Sequence, residues 1–207
     1  MPRYEDLIGD YDRVLDRFRR FLGELEPEQE VFPRLYGELT GHLHGIDHWI
    51  RVGIHGLAIA RFLRGRSRIT TILPAQAGEL EDAVISAAFF HDCARTSDRA
   101  EPEHGREGDR VWRHFAARKG LDRGLLDAVS QALLFHVDHE PVDPAANDVS
   151  VCLCNADRLD RVRLRESPDP ERMYPDGVWR EIAPLAEQLL QEVSRSRVLM
   201  DLGWRPR

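Results

Sequence analysis

Apolar residues recur at helical spacing along most of the chain. From Leu7 to Leu25 they stand three and four positions apart, so that they share one face of a helix. Pro27 ends this stretch, because proline lacks the amide hydrogen that a helix interior needs. A second, short helix is predicted over Glu28–Leu39.

The same spacing predicts a series of further helices. Their approximate ranges are His48–Leu63, Glu79–His91, Gly105–Arg118, Asp122–Val137, Val149–Val162 and Trp179–Leu199. The Glu79–His91 segment is apolar on most sides, which predicts a place in the middle of a bundle. The segments richest in proline, glycine and polar residues are predicted loops: Thr96–Glu103, Pro141–Asp148 and Ser167–Gly177.

Alternating strand patterns are absent from the sequence, apart from a short candidate strand at Ile69–Leu73 that has nothing to pair with. The expected fold is therefore all-α, a helical bundle. A length of 207 residues suits a single domain over 1–207. Its core is expected at about residues 44–165, with helical additions at 1–43 and 166–207.

Composition narrows the choice of partners and compartment. A formal net charge of -7 disfavours binding to a nucleic-acid duplex. The longest mostly apolar run, Ala83–Phe90, is much too short for a membrane span, and the N-terminus lacks the pattern of a signal peptide. Only three cysteines occur, which argues against a disulfide framework. We expect a cytoplasmic protein without a membrane partner.

Several predicted helices present a histidine or an aspartate where an apolar run meets polar sequence. His91-Asp92 closes the most apolar helix, His48 starts another, His136 ends a third, and Asp157 follows the apolar start of a fourth. A single histidine is more often a surface or core residue than a ligand. Metal sites in helical bundles, however, are built from such side chains on facing helices.

These residues resemble the HD-domain superfamily of metal-dependent phosphohydrolases, whose ligands follow the order H…HD…D. Here the order is His48…His91-Asp92…Asp157. The first histidine stands in the family's H-x-x-R-V pattern, and the last aspartate stands in an A-D-R-x-D pattern that ends at Asp160. The resemblance covers roughly residues 44–165.

Dinuclear members of that family add two histidines, which correspond to His104 in a His-Gly pattern and to His136. The resemblance thus implies six ligands: His48, His91, Asp92, His104, His136 and Asp157. His139 is the competitor of His136, because it lies on the same helical face. Imidazole and carboxylate ligands suit one or two divalent ions of Fe, Mn, Ni, Co or Zn, and Asp92 has two oxygens with which to bridge two ions.

Further roles follow from the same comparison. Arg95 stands where many relatives have a lysine, and an arginine there favours phosphate binding over proton transfer. Arg51, Arg158 and Arg161 are further candidates for phosphate contacts. His139 and Asp98 are candidate proton donors. The remaining histidines are expected to be structural or on the surface, with His55 able to hydrogen-bond near the site: His42, His44, His55 and His114.

The resemblance implies hydrolysis of a phosphoester or phosphoanhydride in a small phosphorylated molecule, with a nucleotide as the expected class. Two alternatives remain open. One is an oxygenase with a di-iron site of the same ligand types, and the other is a non-catalytic, metal-stabilised module that binds a nucleotide or a protein. A homodimer through the amphipathic N-terminal helix is a further open prediction.

Overall fold

The computed structural model describes residues 4–37, 39–41, 43–66, 77–137, 146–175 and 177–203, and every regular element in these ranges is helical. The all-α prediction is confirmed. The α-helices are α1 (Tyr4–Leu25), α2 (Ile46–Gly65), α3 (Ala77–Phe90), α4 (His104–Lys119), α5 (Arg123–Phe135), α6 (Asp148–Leu159), α7 (Gly177–Glu192) and α8 (Arg195–Asp201). Short 3₁₀ helices occupy Glu26–Glu30, Asp160–Leu164 and Pro170–Arg172.

Helices α2 and α3 form the centre of the bundle. Helix α2 packs against α1, α3, α6, α7 and α8, and α3 packs against α1, α2, α4, α5 and α6. The central position predicted for the helix that precedes His91 is confirmed. Aromatic rings fill the space beside α3, where Phe89 and Phe90 contact rings that include Phe21, Trp49 and Trp112.

The apolar face of α1 is buried inside the chain. Tyr11, Val14, Phe18 and Phe21 are at most 2% exposed and belong to the common core. The face that sequence analysis offered to a partner subunit is therefore already occupied by α2 and α3. Among the described residues, no helix combines the length and the apolar character that a membrane span requires.

Two predicted helices differ from the structure. The helix predicted over Glu28–Leu39 is wrong, because its first part is a 3₁₀ helix and turns follow it. In these turns the Tyr36 amide donates to the Cys93 carbonyl at 2.8 Å, so a contact distant in sequence replaces the helical bond. The helix predicted over Trp179–Leu199 is broken near Ser194, whose side chain accepts a hydrogen bond from the Arg197 amide and begins α8.

The helices that carry the candidate site begin and end close to the predicted positions. Asp122 and Asn147 cap the first turns of α5 and α6 with their side chains, which explains where these helices start. Helix α6 ends at Leu159 and continues as a 3₁₀ helix, where one longer helix was predicted. The candidate strand Ile69–Leu73 lies outside the described residues, and the proposed division into core and additions stays a prediction.

Candidate metal centre

Five helices direct six histidine and aspartate side chains to one place. His48 lies in the first turn of α2, His91 and Asp92 follow α3, His104 begins α4, His136 follows α5, and Asp157 lies in the last turn of α6. They form two groups, and in each group one ligand-type atom per residue lies within 4.8 Å of the others. The groups are His48, His91 and Asp157, and Asp92, His104 and His136. The structure thus brings together all six residues that the family resemblance singled out.

The four histidines share one hydrogen-bonding pattern at Nδ1. In each of them Nδ1 lies within hydrogen-bond distance of an oxygen that can only accept. The acceptors are the carboxylate of Asp160 for His48 (2.7 Å), and the backbone carbonyls of Ala88 for His91 (2.8 Å), Glu101 for His104 and Leu133 for His136 (2.7 Å). Each Nδ1 therefore carries a proton, and Nε2 is the nitrogen at which each ring offers a lone pair when it is neutral.

The Nε2 atoms of these rings face one another in pairs. His48 Nε2 lies 3.2 Å from His91 Nε2, and His104 Nε2 lies 2.9 Å from His136 Nε2. Two nitrogens at about 2.1 Å from one ion would be about 3.0 Å apart at the right angle of octahedral coordination and about 3.4 Å apart at the tetrahedral angle. The spacing of both pairs therefore fits a shared transition-metal ion. Without such an ion, the lone pairs of two neutral rings would point at each other and repel.

Asp92 stands between the two groups and offers one oxygen to each. Its Oδ2 lies 3.6 Å from His48 Nε2 and 3.5 Å from His91 Nε2, while its Oδ1 lies 3.4 Å from His104 Nε2. Burial by itself would raise the pKa of Asp92, but the neighbouring imidazoles, His91 first, outweigh burial and lower the pKa. An ionised carboxylate in this position suits a bridge between two cations.

Asp157 completes the group of His48 and His91 from the solvent side. Its Oδ1 lies 3.3 Å from His48 Nε2, and its side chain is 30% exposed. Burial raises its pKa, but the hydrogen bond and charge of His48 lower it by more, so the pKa falls well below its usual range. The other group is electrically different, since burial lowers the pKa of His136 to about 3 and keeps this ring neutral.

Glycines allow the helix ends to come this close. A Cβ atom at Gly105 in α4 would lie 2.5 Å from the Leu133 carbonyl oxygen of α5, and one at Gly108 would overlap the Phe90 carbonyl oxygen at the end of α3. These glycines follow His104 within one helical turn. The His-Gly pattern in the sequence therefore has a packing reason, since it lets α4 bring His104 against His136 and Asp92.

Asp160 is a residue of the site whose role sequence analysis missed. It is fully buried, accepts from His48 Nδ1 at 2.7 Å, and accepts from Arg51 Nε and Nη2 at 2.7 and 3.1 Å. Burial raises its pKa, but Arg51 first and then His48 lower it below its usual range. An ionised Asp160 fixes the ring orientation of His48, as carboxylates commonly do behind a metal-binding histidine. The A-D-R-x-D pattern contained the only sequence signal for this role.

Arg51 does not have the predicted phosphate contact. It is 2% exposed, and its guanidinium donates to Asp160, to Asp47 and to the Val193 carbonyl. The prediction is corrected because these bonds turn the side chain into the interior, where it supports His48 through Asp160. Sequence spacing put Arg51 near the ligand but could not give the direction of its side chain.

A cavity of about 770 Å³ opens onto the two groups. Asp92, His104, His136 and Asp157 belong to its lining, and so do three of the predicted phosphate contacts, namely Arg95, Arg158 and Arg161. Arg95 Nη1 lies 3.7 Å from Asp92 Oδ1, and its Nε is buried without a hydrogen-bond partner among the described residues. A guanidinium in the cavity wall beside Asp92 is well placed for an anionic ligand.

Asp98, a predicted proton donor, lies in the same cavity and pairs with His44. Asp98 Oδ1 lies 3.2 Å from His44 Nδ1 and also accepts from the amides of Leu43 and His44. Burial raises the pKa of Asp98, but the Leu43 amide and His44 lower it by more, so that this group is an acceptor near neutral pH. The imidazole of His44, which sequence analysis treated as structural, is therefore the better placed of the two to exchange a proton with a ligand.

His55 and His114 do not belong to the described lining of the cavity. His55 is fully buried, and neither ring nitrogen has a hydrogen-bond partner among the described residues, so the predicted bond near the site is not made. Burial lowers the pKa of His55 to about 4. His114 pairs with Glu28 at 2.9 Å. His42 and the candidate His139 lie outside the described residues.

A second cavity, of about 780 Å³, is lined by Arg17, Phe21, Trp112 and Lys119, among others. It lies at the start of α3 and the end of α4, whereas the histidine and aspartate groups lie at the opposite ends of these two helices. None of the six ligand-type residues belongs to its described lining. The cavity that contains Asp92 is therefore the candidate site.

The fold and the site define an all-α protein with two adjoining histidine–aspartate groups that can hold metal ions. In comparisons of this chain with protein-family models, curated proteins and solved structures, nothing matches.

Proposed function

We propose that this protein is a metal-dependent phosphohydrolase of the HD-domain type that cleaves a phosphoester or phosphoanhydride in a small molecule. The observation that carries the proposal is the convergence of four Nε2 atoms around one carboxylate, Asp92. A closed structural site needs only about four ligands. Six ligand-type groups beside a cavity support a dinuclear, catalytic site instead.

The six residues would hold two divalent ions of Fe, Mn, Ni, Co or Zn. When bound, such ions act as Lewis acids toward phosphoryl oxygens and lower the pKa of a water molecule. The net reaction adds water across the P–O bond: a bond from the water oxygen to phosphorus forms, the bond to the leaving oxygen breaks, and the leaving oxygen takes a proton.

The chain itself supplies binding and proton exchange. Arg95 lies beside Asp92 and is placed to bind the oxygens of the reacting phosphate. His44 lines the same cavity and is held by Asp98, so that its imidazole, once protonated, can give the leaving group a proton. Burial lowers the pKa of His44 to about 4, and the negative charge of a phosphorylated ligand would raise it again.

Substitution of a ligand at the edge of the site tests the proposal. In Asp157→Asn the change removes one charge from a partly exposed side chain, so the fold should survive. Asp127→Asn is the matched control, since Asp127 lies on α5 outside the described lining of the cavity. Metal content by elemental analysis and phosphate release from a panel of phosphate esters are measured for both.

We expect the unaltered protein and Asp127→Asn to contain close to two ions per chain and to release phosphate. Asp157→Asn should lose metal and at least about 100-fold in rate, because a charged ligand is gone. Normal metal content in Asp157→Asn would overturn the site, and metal without hydrolysis of any ester would overturn the activity. Oxygen-dependent turnover with bound iron would support the oxygenase alternative.

A further inference from the structure

Arginine dominates the cavity wall beyond the metal-ligand residues. The described lining contains six arginines: Arg95, Arg99, Arg158, Arg161, Arg163 and Arg172. They come from two separate segments. The first two belong to the loop that follows α3, and the others belong to the segment from the end of α6 to the 3₁₀ helix at Pro170–Arg172. Cations from two segments can bind more than one anionic group.

The charge of this cavity depends on the ions it holds. The described lining also contains six acidic residues, two of which are the ligand residues Asp92 and Asp157. When no cation is bound and the histidines are counted as neutral, the six arginines and six acidic residues of the described lining give a formal net charge of zero. Two divalent ions would make the cavity clearly positive, which favours a ligand with more charge than a single phosphate carries.

Among the described residues, the side chains of two of these arginines pair only with exposed carboxylates. Arg161 pairs with Glu166, with side chains 45% and 50% exposed, and Arg172 pairs with Asp169, with side chains 48% and 52% exposed. Exposed pairs of this kind contribute little to stability. A phosphate group can therefore replace the carboxylates at small cost, and it gains the bidentate contacts that guanidinium groups offer.

The described lining offers a nucleobase no large aromatic ring. It contains no phenylalanine, tyrosine or tryptophan, and its apolar members are Ala100, Pro102, Val137 and Leu164. The neighbouring sequence 138–145 contains no such residue either. Bases are commonly bound by stacking on aromatic side chains or on arginine planes, and the described lining offers only the smaller imidazole and guanidinium planes for this contact.

We propose that the substrate is a sugar or polyol that carries two phosphate groups, and not a base-bearing nucleotide. One phosphate lies at the metal-ligand residues and Arg95, and the second is bound by Arg161 and Arg172. This inference rests on the proposed phosphohydrolase function and replaces the nucleotide expected from the family resemblance with a more polar substrate class.

Two pairs of compounds test the inference. Comparing fructose 6-phosphate with fructose 1,6-bisphosphate shows how much a second phosphate adds to affinity. Comparing ribose 5-phosphate with AMP shows how much a base adds. Binding to the manganese-loaded protein is measured from the shift of its unfolding midpoint, and phosphate release is measured in parallel. The double variant Arg161→Gln/Arg172→Gln is compared with Arg106→Gln/Arg110→Gln, which makes the same change on exposed positions of α4 outside the described cavity lining.

We expect the bisphosphate to bind at least about tenfold more tightly than fructose 6-phosphate, and AMP to bind within about threefold of ribose 5-phosphate. The Arg161/Arg172 variant should lose the bisphosphate preference and keep its affinity for fructose 6-phosphate, while the control variant keeps both.

A preference of tenfold or more for AMP over ribose 5-phosphate would overturn the inference. It would also be overturned by an equal loss for both fructose phosphates in the Arg161/Arg172 variant, or by no binding of any compound. A bisphosphate preference in binding without phosphate release would leave this inference standing and overturn the hydrolytic function. Hydrolysis of the compounds without a bisphosphate preference would overturn this inference and leave the hydrolytic function standing.

Discussion

The orientation of His48 by Asp160 leads to a prediction that separates metal binding from stability. In Asp160→Asn the side chain keeps its shape but loses its charge. The amide nitrogen must then face either Arg51 Nε or His48 Nδ1, both of which are donors in the native structure. Because Oδ1 accepts from Arg51 Nε and Oδ2 accepts from both His48 Nδ1 and Arg51 Nη2, at least one buried hydrogen bond is lost in either orientation.

Both orientations weaken His48 as a ligand. If the amide oxygen still faces His48, the imidazole loses a carboxylate that makes it more basic. If the amide nitrogen faces His48, the ring must move its proton from Nδ1 to Nε2, and the coordinating lone pair disappears. Loss of such a supporting carboxylate costs about 10–100-fold in metal affinity, or about 1.4–2.7 kcal/mol.

The matched control is Asp47→Asn. Asp47 is the other carboxylate of Arg51, with Asp47 Oδ2 3.0 Å from Arg51 Nη1, but no bond joins it to His48 in the described structure. Breaking a buried ion pair costs about 3–5 kcal/mol, and the cost should be smaller at Asp47, whose side chain is 11% exposed. Both variants should therefore unfold at lower denaturant concentration.

The assay is metal binding by calorimetric titration of chelator-treated protein, at a temperature where circular dichroism shows each variant to be folded. We expect Asp160→Asn to bind manganese at least about tenfold more weakly and Asp47→Asn to stay within about threefold of the unaltered protein. Equal affinity in Asp160→Asn and the unaltered protein would refute the orienting role of Asp160. An equal loss of manganese affinity in both variants would show that the packing of Arg51, and not the hydrogen bond between Asp160 and His48, determines metal binding.

Three further predictions concern packing, titration and metal removal. Gly105→Ala should push α4 away from α5, since its Cβ would lie 2.5 Å from the Leu133 carbonyl oxygen, and should cost at least about 2 kcal/mol in urea unfolding and most of the metal affinity. In the absence of metal, buried His55 with its pKa near 4 is neutral when folded but takes a proton below about pH 6.5 when unfolded. Stability should therefore fall as pH falls from 7 to 5, by about 2 kcal/mol from this residue, and His55→Leu should remove that part of the slope. Chelation of the bound metal should lower the thermal midpoint by about 5–10 °C relative to metal at 100 times its Kd, and readdition should restore it.

The glycine prediction has a control within the chain, and the other two predictions have outcomes that would contradict them. Gly120→Ala changes a glycine with nothing near its Cβ, so it tests strain at a positive φ of 62° without any helix contact. A pH slope unchanged in His55→Leu would contradict the buried neutral state of His55. A thermal midpoint that does not respond to chelation, in protein shown to contain metal, would contradict the linkage of the site to the fold.

The sequence by itself determined the helical class, most helix positions and the residue types of the site. Helical periodicity is a local property, so α1 to α6 and their approximate ends could be read from apolar spacing. His48, His91, Asp92, His104, His136 and Asp157 could be identified from a family pattern and from their places at helix ends. The N-terminal 3₁₀ helix and the break before α8 could not, because a distant backbone contact and a capping side chain decide them.

Only the tertiary structure decided what each polar side chain faces. Arg51 and Arg95 look alike in the sequence, yet the first lies in the interior against Asp160 and the second lies beside Asp92 in the cavity. The division of the ligands into two groups with Asp92 between them also needed three-dimensional distances. The physical reason is that a side chain's direction depends on the packing of several helices, and spacing along one helix does not contain that information.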